Sequence, residues 1–214
     1  MKKIGVLVLI LGICLIAYPI LADLIFSYNH SVAITTYQEN VKATNEEDLK
    51  KKKDDLQKYN QELIDSEKGQ VTSGKVEEQK KTTSYLNLLN IGEVLGYIEI
   101  PKIDVNLPIY HGSNSNVLDF GIGHMENTSF PNGMIGTHSV LAGHSGLTTA
   151  RIFDDVDKME IDDIFYITTL DEKFAYRVDQ IKIVTPSETE HIEIQEDKEL
   201  VTLVTCVPIR NKFS

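Results

Sequence analysis

Only two cysteines occur in the 214 residues, Cys14 and Cys206. Two thiols build no disulfide framework, and Cys14 lies inside an apolar run, so Cys206 is left as the single free thiol of the polar part of the chain. Basic residues are also in short supply: 21 Lys and Arg stand against 32 Asp and Glu, a net charge of -11. That balance argues against nucleic acid as a partner, which requires a basic footprint. Neither a Cys-x-x-Cys nor a His-Glu-x-x-His spacing occurs. His111 and His124 have the right chemistry for zinc, but without such spacing the sequence predicts neither metal nor cofactor.

What the chain does have is a long uncharged run, Ile4 to Ala22. Nineteen residues at about 1.5 Å each span roughly 28 Å, close to the thickness of a hydrocarbon core. Lys2 and Lys3 precede the run, which keeps the N-terminus in the cytoplasm and sends the remainder outside. The run exceeds a usual signal-peptide core and no clear pair of small residues marks a cleavage site. An uncleaved single-pass anchor over residues 1–28 is therefore expected. Residues 29–84 are polar and carry charge runs such as Lys50-Lys51-Lys52-Lys53 followed by Asp54-Asp55. Within them Leu49, Leu56, Tyr59 and Leu63 recur at helical spacing, predicting a stalk helix with one apolar side leaning on something. Asp65 to Ser84, with Gly69 and Gly74 and almost no large apolar residue, reads as a connection.

From Val94 onward short runs rich in Val, Ile, Tyr and Thr alternate with Gly, Pro, Asn and Asp. Strands are predicted at Val94–Ile100, Asn106–Tyr110, Ser139–Ala142, Ile164–Thr169, Phe174–Thr185 and Leu200–Cys206, with short helices at Asn114–Phe120 and Ala150–Val156. The fold class is mainly β, a closed or nearly closed barrel over residues 85–214. The last of these strands delivers Cys206 at its tip, because Pro208 cannot donate to a ladder. The second stretch of interest, Gly136 to Gly146, sets His138 and His144 among small residues. A thiol of ordinary pKa, about 8.5, is only a few per cent thiolate at neutral pH, and a nearby histidine can act as cation or base.

These stretches resemble the sortases, membrane-anchored cysteine transpeptidases of Gram-positive bacteria. Thr202-Leu203-Val204-Thr205-Cys206 matches the Thr-Leu-x-Thr-Cys signature of that family, and Ala142-Gly143-His144 matches the segment that holds its histidine. Gly96 to Ile103, Leu107 to Gly112 and Gly123 to Ser129 are similar to the pilin-polymerising subgroup, class C. The resemblance implies an eight-stranded barrel, Cys206 as nucleophile and His144 as the acid that protonates the departing amine and the base that activates the incoming one. Ala142, Thr205 and the loop at Val207 would line the path to the thiol. His138 is the rival acid/base residue and is read instead as a support through hydrogen bonding.

The same resemblance implies cleavage of a Leu-Pro-x-Thr-Gly-like sorting signal at Thr-Gly and transfer of the acyl group to a lysine amine of a pilin. Partners would be pilin or surface-protein sorting signals and the membrane, with the catalytic domain outside the cell. Three departures stand out. No Asp-Pro-aromatic triplet is present for a class C lid, Asp65-Ser66-Glu67 being nearest in position. The arginine that follows the family's cysteine by about nine residues is not carried onto any position, since Arg210 follows by only four and Ser214 ends the sequence. The final barrel strand and a second membrane span are likewise expected to be missing, which predicts impaired activity and an unpaired edge on the Cys206 strand. The alternative is a non-catalytic anchored protein that binds sorting signals or pilins without cutting them.

Overall fold

The uncharged run continues without a break into an amphipathic segment, and together they form one helix, α1 (Lys2–Ala43). The computed structural model describes residues 2–67, 94–146, 152–185, 188 and 190–206. A second helix, α2 (Glu46–Glu67), starts where the Asn45 side chain accepts the backbone N–H of Asp48 at 2.8 Å. Its first turn holds Glu46, Glu47 and Asp48, acidic charges that suit the positive end of a helix. Asp65-Ser66-Glu67 is the last turn of α2, and the connection that follows it, residues 68–93, lies outside the described residues.

Seven strands follow among the described residues: β1 (Val94–Ile100), β2 (Val105–His111), β3 (Ile122–His124), β4 (Thr137–Ala142), β5 (Ile164–Thr169), β6 (Glu172–Arg177) and β7 (Glu199–Val204). They form one sheet in the order β6-β5-β1-β2-β3-β4-β7, with β2 parallel to β3 and β4 parallel to β7. Rolled up, this is a nearly closed mixed barrel with short helices. The seam between β6 and β7 has no backbone ladder among the described residues. Side chains span it instead: the Glu199 carboxylate accepts from the Tyr176 hydroxyl at 2.6 Å and from the Gly133 N–H at 2.9 Å. Burial pushes the Tyr176 hydroxyl above its ordinary range, and the carboxylate beside it adds to the shift.

The helices belong to the same core as the barrel. Tyr37, Val41, Leu56 and Tyr59 are buried with Ile98, Ile100, Ile122, Leu141 and Ile167. The apolar side expected on α2 is the side that docks, with Leu49 and Leu63 packed at its margins. Asn60, fully buried, was not singled out by that pattern. Its amide donates to the Phe130 carbonyl at 2.9 Å and accepts the Phe130 N–H at 2.8 Å, satisfying both backbone groups of a loop that has no strand partner.

Most predicted strands fall where they are found, but the one expected over Leu200–Cys206 ends at Val204, leaving Cys206 two residues beyond it. The strand expected over Phe174–Thr185 ends at Arg177, because β5 begins at Ile164 and beyond Val178 no strand pairs with it among the described residues; Ile181 and Ile183 are exposed. The helix expected over Ala150–Val156 is, in its described part, a run of bends before a 3₁₀ turn at Val156–Lys158, and within it the Phe153 N–H and the Asp154 carboxylate bond to the His144 segment. β3, three residues long, is too short to show an alternation. The helix expected over Asn114–Phe120 is the short α3 (Ser115–Leu118), capped by the Asn114 side chain.

Candidate active site

The parallel pairing of β4 with β7 builds the site. Its register runs from Thr137 opposite Glu199 to Ala142 opposite Val204. One step further, the Gly143 N–H donates to the Val204 carbonyl at 3.0 Å. His144 and Cys206 are the next residues to leave the two strands, and adjacent strands lie about 4.8 Å apart. The Ser145 hydroxyl donates to the Cys206 carbonyl, tying the two chain segments together past the sheet. Positions 62 residues apart in the sequence thus emerge side by side at one rim of the barrel, and Cys206 is exposed.

Each neighbour of His144 is fixed. Its carbonyl accepts the Phe153 N–H at 2.9 Å, and Gly146, at a φ of 80°, donates its N–H to the Asp154 carboxylate at 2.6 Å. Its Nε2 lies 3.9 Å from Asp119 Oδ1, and the imidazole is 32 % exposed. At that distance the carboxylate lies beyond direct hydrogen-bond reach of the ring and faces it across the mouth of the site. Asp119, the C-cap of α3, carries no sequence signal that would have found it.

Gly143 is needed for close approach. A Cβ there would stand 2.6 Å from Phe153 Cδ2, 2.9 Å from Ile152 Cγ2 and 3.0 Å from Ile122 Cδ1. All three partners are buried and none can yield freely. Gly143→Ala is therefore expected to displace His144 and to lower kcat/KM by roughly 10- to 100-fold, since about 1 Å of misplacement can cost that much. Peptide-cleavage kinetics together with a thermal melt would show whether the loss exceeds what reduced folding explains.

The remaining expected site residues are placed as follows. Ala142, half-buried, ends β4 beside Val204, and Thr205 precedes the thiol with its hydroxyl buried and without a hydrogen-bond partner among the described residues. Val207 and Arg210 lie outside the described residues. His138 is buried on β4, its Nδ1 2.8 Å from the Glu193 carbonyl and its Nε2 2.7 Å from Thr202 Oγ1. Both ring nitrogens are occupied, and the ring holds the first residue of the Thr202–Cys206 stretch. His111 and His124 face one another across β2 and β3 and pack on the Phe130 ring, His124 stacked at 4.2 Å. Among the described residues no group of three or more His, Cys, Asp or Glu gathers to hold a metal ion.

A family profile described as the sortase domain matches residues 98–214. The chain belongs to the sortase family. Among curated relatives of this sortase, sortase D of Bacillus subtilis (strain 168) is 34% identical over 119 residues, 55% of this chain and 56% of that protein. The chain spans about half the length of the first curated relatives it matches, 56% and 47%. Among solved structures, sortase C1 of Streptococcus agalactiae superposes with a TM-score of 0.74 at 38% identity, covering 82% of this chain and 90% of that one. Sortase C of Clostridium perfringens, solved with the C-terminal cell wall sorting motif, gives 0.71 at 38% identity over 85% and 92%.

Proposed function

We propose that this sortase is a cysteine transpeptidase of the pilin-assembling type, held to the membrane by α1 with its barrel outside the cell. The observation that supports the reading is the parallel β4–β7 register, whose two strands lead toward His144 and an exposed Cys206, with Ser145 bonded to the Cys206 carbonyl. The Cys206 thiolate attacks the threonine carbonyl of a Leu-Pro-x-Thr-Gly-like sorting signal, forming a thioester as the Thr-Gly bond breaks, and His144 delivers a proton to the departing glycine amine. His144 then takes a proton from a lysine amine of a second subunit as that nitrogen displaces the thiol and forms an isopeptide bond. Of the described residues, Ala142 and Thr205 line the approach to the sulfur. The Clostridium perfringens sortase C solved with the C-terminal cell wall sorting motif supports the choice of substrate class. The helix Lys3–Ala43, long and apolar enough to cross a membrane, supports the anchor.

Intact-mass analysis of the full chain after incubation with a sorting peptide tests this directly. The expected result is an adduct equal to the peptide as far as threonine, absent from Cys206→Ala, and converted to an amide when a lysine-containing peptide is added. Peptide binding with no adduct would overturn it in favour of an anchored binding protein. An adduct released only by water, whatever amine is present, would make the protein a thiol peptidase.

A further inference from the structure

Above Ala22 the helix α1 presents two different faces. Phe26, His30, Ala33, Tyr37 and Val41 turn toward the barrel and pack on its core or bond to it. Leu24, Ile25, Tyr28 and Val32, at 100° per residue, fall on the opposite side and are exposed by 62%, 61%, 69% and 45%. The exposed apolar surface of the helix therefore runs from Ile4 to Val32 rather than stopping at Ala22. That is about 42 Å of helix, against a hydrocarbon core of about 30 Å and about 40–45 Å with both headgroup layers. Membrane facing the whole of that surface would reach to the level of Val32, with Tyr28 among the outer headgroups where such rings settle.

The barrel meets α1 at the same level. Moving along α1 toward the N-terminus, the last hydrogen bond to the barrel among the described residues is from His30 to the Phe120 carbonyl; Tyr37 and Gln38 bond higher up. Phe120 itself is 67% exposed, a large aromatic residue left largely uncovered among the described residues. Its neighbour in the chain, Asp119, faces His144.

We propose that the turn after α3 is a membrane-contact site, with Phe120 seated in the outer headgroup layer of the bilayer that α1 crosses, so that His144 works at the lipid surface. The inference rests on the reading of α1 as a membrane anchor. Two features carry it independently: the apolar stripe on the far side of α1 and the bare ring on the near side end at the same height. An interfacial group of this kind buries its apolar part about 5–10 Å into the headgroup boundary.

The sequence contains no tryptophan, so a single introduced indole reports alone. The full chain carrying Phe120→Trp, Leu11→Trp or Ile183→Trp is reconstituted in phosphatidylcholine nanodiscs with or without brominated acyl chains. Leu11 lies within the uncharged run, and Ile183 is 86% exposed in the segment between β6 and β7. The expected result is strong quenching at position 11, none at 183, and loss of roughly half the emission at 120, as befits a shallow interfacial ring. Emission at 120 indistinguishable from 183, with 11 quenched, would overturn the membrane contact and leave the anchor standing. An unquenched indole at position 11 would overturn the anchor and the contact with it.

Discussion

Alanine at Cys206 or at His144 is expected to reduce kcat/KM for sorting-peptide cleavage by on the order of 10³-fold or more. The two groups act on the same reacting atoms: the imidazole has nothing to protonate until the thiol has attacked, and the thiol leaves a poor intermediate if the amine departs unprotonated. The double replacement is therefore expected to be about as slow as the worse single one rather than the product of both losses. Single-turnover release of the glycine fragment measures this. Multiplying losses would show that residues 144 and 206, although they emerge together from β4 and β7, do not operate as one unit.

Acid is expected to weaken the fold through His124. This ring is completely buried at the end of β3, stacked on Phe130, with its Nε2 2.9 Å from the Ser129 carbonyl, to which the neutral ring donates. Burial lowers its pKa from 6.5 to about 4, and the proximity of His111 adds to the shift. In the unfolded chain the ring takes up a proton near pH 6.5, whereas the folded protein resists until about pH 4. The contribution is therefore fully present above pH 6.5 and is lost as the pH falls toward 4, reaching on the order of 3 kcal/mol. Urea unfolding of the detergent-solubilised chain between pH 7.5 and 4.5 reads this loss, and His124→Gln should flatten the slope. The carboxylates Asp163 and Asp171, held below their ordinary range by Lys102 and Lys53, lose their pairing in the same direction but in both proteins alike. Equal slopes in the two would assign the acid sensitivity elsewhere.

The acid-sensitive ring and the proposed catalytic pair show how unevenly a site can be read from residues alone. Cys206 and His144 were put forward as a pair by the resemblance to the sortases; the strand-like run before the thiol and the small residues about the histidine are in keeping with that reading but do not select His144 over His138. His111 and His124, in loops of the matched segments, looked equally available for chemistry. Only the packing of Phe130 between β2 and β3 shows that they serve the interior. Asp119 gave no signal at all, because what matters about it is a side chain 3.9 Å away, and Gly143 stood in the matched Ala142-Gly143-His144 segment without any sign that its missing Cβ is what matters.

What the sequence by itself determined are features with a local period. The uncharged run dictated the helix, the seven-three-four spacing dictated which side of α2 docks, and β-branched alternation dictated most of the strands. These follow from backbone geometry over a few residues, so they need no knowledge of the partner. The tertiary structure alone decided that β4 and β7 run parallel in a register that unites residues 144 and 206, that the Phe174 strand stops at Arg177, and that Phe120 lies bare beside α1. Each of these depends on which distant segment supplies the facing backbone or side chain, and pairing between strands more than fifty residues apart leaves no periodic trace in either of them.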